Sequence, residues 1–211
     1  KIYIPNKFKY ILGKINNEFA GFNQNDSHEL LLLILDNIHT DISLDLKKEL
    51  NFCNSSDNLQ LYLKKYNNLL EKYNKESKEY IEELNILNKE YPSEKFIILS
   101  RLYWKENISN DYSIIRKLFT GLFCTEIYCK ECKNTKIMFE VFTTVSLSIP
   151  NLNNISLHDC LDLFTKEDIL EGDNQYRCNY CNKKTDALKK TCIWQPPKIL
   201  IIHLNRFINN G

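Results

Sequence analysis

Two short cysteine pairs, Cys129-Lys-Glu-Cys132 and Cys178-Asn-Tyr-Cys181, constrain this chain more than any other feature. Each pair puts two thiols on one tight turn. Two such turns brought together supply the four ligands of a tetrahedral metal site and lock distant stretches of chain against each other. The competing reading, a disulfide framework, belongs mostly to shorter secreted chains. The chain has 211 residues and eight cysteines. Lys1 to Tyr10 carries no apolar core of a signal peptide, and no run approaches the roughly 18 consecutive apolar residues of a membrane span. The expectation is therefore an intracellular protein, in the cytoplasm and/or nucleus, with zinc held by Cys129, Cys132, Cys178 and Cys181. A four-thiolate site has no open position, so its expected role is structural.

The formal charge of +1, from 28 basic and 27 acidic residues, supplies no global field for nucleic acid or anionic lipid. Lys183, Lys184, Lys189 and Lys190 form only a local cluster near the second cysteine pair. A zinc-ribbon nucleic-acid binder would need a basic face with interleaved aromatics. Neither nucleic acid nor a membrane is expected as a partner. Cys53, Cys124, Cys160 and Cys192 read as small buried hydrophobes, since none has a histidine and a helix start beside it to activate a thiolate.

Leu30, Leu31, Ile34, Leu35 and Ile38 recur at helical spacing and predict a helix over Asn25 to Ile42, with Asn23 to Asp26 offering caps. From Lys47 to Tyr91 a Lys-, Glu- and Asn-rich stretch has a thin apolar stripe and reads as a helical insertion on the surface. Phe96 to Trp104 and Ser113 to Phe119 read as short helices. Beyond Gly121 the pattern turns to β. Phe123 to Tyr128 and Lys136 to Ile149 form a hairpin around the first cysteine pair, Tyr176 to Thr191 a second hairpin, and Ile199 to Ile202 a buried strand. Ser156-Leu-His-Asp159 opens a helix ending near Thr165. Helices first and strands later argue for an α+β fold.

Three ordered segments resemble the ubiquitin-specific protease (ubiquitin carboxyl-terminal hydrolase) family. Gly21-Phe-Asn-Gln-Asn-Asp-Ser-His-Glu29 is similar to its G-[YF]-x-Q-x-D-[AS]-[HQ]-E box. Ser113 to Cys124, running on through Cys129-Lys-Glu-Cys132 to Ser146-Leu-Ser-Ile-Pro150, resembles its fingers. Ser156 to Leu161, Cys178 to Cys181, and Pro197-Lys-Ile-Leu-Ile-Ile-His-Leu-Asn-Arg-Phe207 resemble the continuation into the palm. Leu30, where the family often has Phe, and Asn205, where it often has Lys, are mild departures.

The resemblance implies an incomplete papain-like cysteine protease right hand. Residues 1–46 and 92–120 would be the helical thumb, 47–91 an insertion, 121–195 the β fingers with zinc knuckles, and 196–211 the start of the palm. It implies a deubiquitinase that cleaves after the C-terminal glycine of ubiquitin, with ubiquitin and ubiquitinated proteins as partners. The family's nucleophile lies in an Asn-x-Gly-x-Thr-Cys box and its base in a Gly-Gly-His-Tyr box, and neither occurs here. The expectation is a truncated stretch of an active enzyme, inactive by itself and without catalytic residues of its own; a ubiquitin-binding pseudoenzyme or scaffold is the alternative. The resemblance implies ubiquitin-binding roles for Asp26, His28, Glu29 and Phe207. Asp26-x-x-Glu29 is also a capping-box variant that stabilises a helix start with no ligand at all. His203 reads as a packed strand histidine, Gln24 as a loop support and Arg206 as an ion-pair partner.

Overall fold

The computed structural model describes residues 4–45, 56–108, 111–150 and 154–206. Helix α1 (Asn6–Ile15) leads through a 3-10 turn (Asn17–Phe19) into α2 (Ser27–Ile42). Helix α2 starts at Asp26, whose carboxylate accepts a hydrogen bond from the His28 N–H at 2.7 Å. That bond satisfies one orphan donor of the first turn and contributes about 1 kcal/mol. Among the described residues Glu29 returns no bond to Asp26, so the cap is Asp26 alone. Asn25, rather than Gln24, holds the preceding loop: its amide donates to the Glu18 carbonyl at 2.9 Å, while Gln24 is exposed.

Helices α3 (Asp57–Lys72), α4 (Lys78–Glu90) and α5 (Pro92–Ile108) correct the picture of a thin surface stripe. They enclose a core of Leu59, Tyr62, Leu87, Tyr91 and Ile98, each no more than 9% exposed. Tyrosine hides this core from a polarity count. The Tyr62 hydroxyl donates to Asn88 Oδ1 at 2.9 Å, so the ring is buried to 1% exposure with its polar atom satisfied. Helix α5 is longer than expected because Pro92, which lacks the N–H a first turn leaves unpaired, starts it before Phe96. Residues 47–55 of the expected insertion, Cys53 among them, lie outside the described residues, as does residue 46. Among the described residues no helix is long and apolar enough to cross a membrane.

Helix α6 (Ile114–Phe119) follows and joins α2 through a partly buried polar network. His39 Nδ1 lies 2.8 Å from Ser113 Oγ, and His39 Nε2 lies 2.9 Å from Asp111 Oδ2. Arg116 Nη2 donates to the same carboxylate oxygen at 3.4 Å. The trio Ser, His, Asp resembles a nucleophilic triad, but Ser113 Oγ accepts the Arg116 N–H as the cap of α6 and is 3% exposed. This hydroxyl is a structural fastener. The hydrogen bond from His39, with the Arg116 guanidinium beyond it, holds the Asp111 carboxyl below the usual range. A depressed carboxyl stabilises the fold above about pH 4, and that contribution is lost as pH falls through its lower folded value. His39→Ala leaves a cavity where the ring stood and costs Ser113 and Asp111 one hydrogen bond each. It is expected to destabilise by about 3 kcal/mol and to lower Tm by roughly 10 °C in a thermal melt.

Strands β1 (Gly121–Cys129), β2 (Thr135–Phe142), β4 (Asp168–Leu170) and β7 (Ala187–Gln195) form an antiparallel sheet in the order β2-β1-β7-β4. Gly121 is required where it stands, because a Cβ there would meet the Phe142 ring at 2.5 Å and the Gln195 carbonyl oxygen at 2.8 Å. Three expectations change here. The run from Lys136 to Ile149 is broken at Thr143, and β3 (Thr144–Ser148) leaves the sheet to pair in parallel with β8 (Ile201–Asn205). The second hairpin is only β5 (Tyr176–Cys178) with β6 (Lys183–Thr185), since β7 pairs with β1 instead. The last strand begins at Ile201, leaving Ile199 and Leu200 outside it and exposed, because Pro196-Pro197 cannot enter a ladder. Helix α7 (Leu157–Thr165) has the expected capping box between Ser156 and Asp159 and packs Cys160 on Val145 and Leu147.

Candidate metal centre and binding groove

The two cysteine turns meet. Cys129 and Cys132 sit at the β1/β2 tip, Cys178 and Cys181 at the β5/β6 tip, and their four sulfurs lie within 4.8 Å of one another. Cys129 Sγ to Cys181 Sγ is 3.8 Å, and Cys132 Sγ to Cys178 Sγ is 3.7 Å. A tetrahedron with metal–sulfur bonds of about 2.3 Å has edges of about 3.8 Å. The two turns share one local shape: the residue after each second cysteine, Lys133 and Asn182, has positive φ of 60° and 54°. Lys130 N–H donates to the Asp186 carbonyl at 2.9 Å and Lys183 pairs with Glu131 at 2.7 Å, so the knuckles are clasped from outside as well.

Ionisation within the cluster is uneven. Burial opposes charge on Cys129, but the Thr185 hydroxyl, 3.3 Å from its sulfur, and the N–H groups of Cys132 and Glu131 bring this thiol down to about 6. Burial and the neighbouring sulfurs push Cys181 up to about 12. Crowded thiols of this kind do not share several negative charges unless a cation sits among them. The donor set fits a thiophilic divalent ion with no open position.

The other described thiols are buried or half-buried. Cys124 faces Cys192 across β1 and β7, and burial, then Cys192, pushes Cys124 up to about 12. Burial likewise raises Cys192. Cys160 is buried between α7 and β3.

A second constellation gathers at the start of α2. The His28 ring stacks on that of His203 from β8, centroids 4.2 Å apart and planes within 2°. His28 Nε2 lies 3.0 Å from Thr144 Oγ1, and Ser146 Oγ lies 3.5 Å from His203 Nδ1. His203 is thus a strand residue, as expected, and it is also the far half of a bridge from α2 to the β3/β8 pair. Sequence spacing could not reveal that stack, since the two rings are far apart along the chain. Asp26 and Glu29 lie on either side of His28 in sequence and are exposed, one Asp26 oxygen being held by the His28 N–H. Along α2 a cavity of about 520 Å³ is lined by Glu29, Leu33, Asp36, His39, Arg116 and Thr143, the last being the neighbour of the Thr144 that meets His28. Arg206 is exposed and makes no ion pair among the described residues. Phe207 lies outside the described residues.

The family model for ubiquitin carboxyl-terminal hydrolase matches residues 1–211. The chain belongs to the ubiquitin carboxyl-terminal hydrolase family. Ubiquitin carboxyl-terminal hydrolase 4 of Saccharomyces cerevisiae is 32% identical over 208 residues, which is 97% of this chain and 19% of that protein. Ubiquitin carboxyl-terminal hydrolase 2 of Gallus gallus is 30% identical over 205 residues, 96% of this chain and 48% of that protein. This chain therefore spans between a fifth and a half of these relatives. A solved structure of the SAGA DUB module, containing a Ubp8 variant with Sgf11, Sus1 and Sgf73, matches with a TM-score of 0.53 at 25% identity, over 98% of this chain and 34% of that one. The α+β, papain-like architecture of the family is the fold of this member.

Proposed function

We propose that this chain is the ubiquitin-gripping part of a thiol-dependent deubiquitinase that hydrolyses the bond after the C-terminal glycine of ubiquitin. The observation that carries the reading is the start of α2, where exposed Asp26 and Glu29 lie on either side, in sequence, of the His28 that bridges to the β3/β8 pair. The ubiquitin tail is extended and carries arginines. Carboxylates there accept charge-assisted hydrogen bonds from guanidinium and peptide N–H groups and so set the register of the scissile bond. The His28–His203 stack forms the wall against which the tail lies.

Zinc is the proposed ion of the Cys129, Cys132, Cys178 and Cys181 site. Its charge permits the four thiolates to coexist, and those residues then hold the two finger tips in one orientation. Residues 1–46 and 92–120 serve as thumb and β1, β2, β4 and β7 as fingers. Strand β3, paired with β8, joins the palm. The nucleophilic thiol and its imidazole base are proposed to lie outside residues 1–211, because neither of the family's boxes for them occurs in this sequence. The chain alone then binds ubiquitin and does not cleave it.

Calorimetric titration of the zinc-loaded chain with ubiquitin, and with ubiquitin lacking its C-terminal tail, tests the reading. Removal of the tail is expected to weaken binding at least about tenfold, the effect of one lost charge-assisted hydrogen bond. Equal affinity for the two would contradict a tail groove at α2.

A further inference from the structure

Between the helical unit and the cysteine knuckles lies a cleft of about 610 Å³ whose walls carry four lysines and no carboxylate. Helix α4 and the start of α5 bring Lys89 and Lys95 to one side. The turn into β2 brings Lys133 and Lys136 to the other. Two lysines outside the cleft are answered by carboxylates, Lys65 by Glu90 and Lys183 by Glu131, each at 2.7 Å. None of the four cleft lysines makes an ion pair among the described residues. In a chain whose formal charge is only +1, this is a local concentration of positive charge. Lys95 is half-buried, and burial holds its ammonium below the usual range against the opposing pull of Glu126. Like charges gathered around one concavity, one of them half-buried, raise the free energy of the empty cleft, and a bound anion relieves that cost.

The remaining lining narrows the ligand class. Asn88 accepts the Tyr62 hydroxyl through its amide oxygen, which leaves its NH₂ group as a donor to the cleft. Tyr176 and Tyr180 add phenols from the second knuckle. There is no arginine, the residue that reads planar carboxylates in a bidentate way, whereas lysines act as point charges and suit phosphate oxygens. The volume falls within the range of small-molecule sites, and such sites favour seams between structural units.

We propose that this cleft binds a small ligand bearing several phosphates, which bridges the inserted helices and the metal knuckles. This proposal stands apart from ubiquitin recognition at α2. Calorimetry on the full-length, zinc-loaded protein, with inositol hexakisphosphate and ATP as probes, tests it. One saturable site is expected for at least one probe, weakened at least tenfold in Lys95→Gln/Lys136→Gln and unchanged in the control Lys184→Gln/Lys190→Gln. Lys89→Gln/Lys133→Gln, at exposed positions, serves the same comparison should the first variant fail to fold. No saturable binding of either probe, an equal loss in the control, or tighter binding of a hexaglutamate peptide than of both probes would overturn the proposal.

Discussion

Cys129→Ser is expected to empty the metal centre and unfold the finger tips. The four sulfurs already lie at tetrahedral spacing, so the fold is organised around an ion that one lost thiolate no longer retains. Metal binding to structural four-ligand sites is worth roughly 10–16 kcal/mol in small domains and is coupled to folding. Losing even a third of that, about 3–5 kcal/mol, is a large share of the roughly 5–15 kcal/mol that stabilises a whole domain. Beyond the clasps Lys183–Glu131 and Lys130–Asp186, the three-residue strands β5 and β6 have little else to hold them. Zinc per chain, measured by plasma mass spectrometry, should fall from about one to near zero, with loss of β signal and a Tm lower by more than about 10 °C. Acid should act in the same direction. Binding expels the Cys181 proton, whose thiol burial pushes up to about 12. Apparent zinc affinity therefore falls about tenfold per pH unit for each proton returned as the solution is acidified. Full metal content and an unchanged melt in Cys129→Ser would contradict the assignment.

Glu29→Gln should lower kcat/KM on ubiquitin substrates by roughly 10- to 100-fold in the extended, active protein, the effect of one charge-assisted hydrogen bond. The fold should hardly notice, because Glu29 is exposed and plays no part in the cap of α2. Asp26 needs a subtler test. Its carboxylate oxygen accepts the His28 N–H at 2.7 Å, so Asp26→Ala removes both cap and charge and loses about 1 kcal/mol of stability besides. Asp26→Asn keeps an acceptor at the cap and removes only the charge. Asp26→Asn and Glu29→Gln with reduced kcat/KM and unchanged Tm would place the effect on the ligand. Normal kinetics in both would leave Asp26 as a cap and nothing more.

What the sequence made legible was mostly local. The cap of α2, the capping box at Ser156 and Asp159, and the tight turns at both cysteine pairs are set by residues a few positions apart, and each is found where spacing predicts. Non-local choices were less visible. Strand β7 has equal freedom, on alternation alone, to extend the β5/β6 hairpin or to pair with β1, and the long antiparallel ladder from Leu122 to Cys129 decides it. The break at Thr143 carries no glycine or proline to mark it. The helical core escaped because tyrosines such as Tyr62 count as half-polar until a partner for the hydroxyl is known. The His28–His203 stack and the His39 network each join residues more than seventy positions apart, beyond the reach of any periodicity.

The central claim, that these residues grip ubiquitin for a cysteine protease, is tested most directly by extending the protein at both ends and adding ubiquitin that carries a C-terminal electrophile. The predicted result is a one-to-one covalent adduct on a cysteine upstream of residue 1, abolished by Glu29→Gln together with Asp26→Asn at limiting probe. A folded, zinc-loaded protein that forms no adduct, or one modified at Cys124, Cys160 or Cys192, would contradict it.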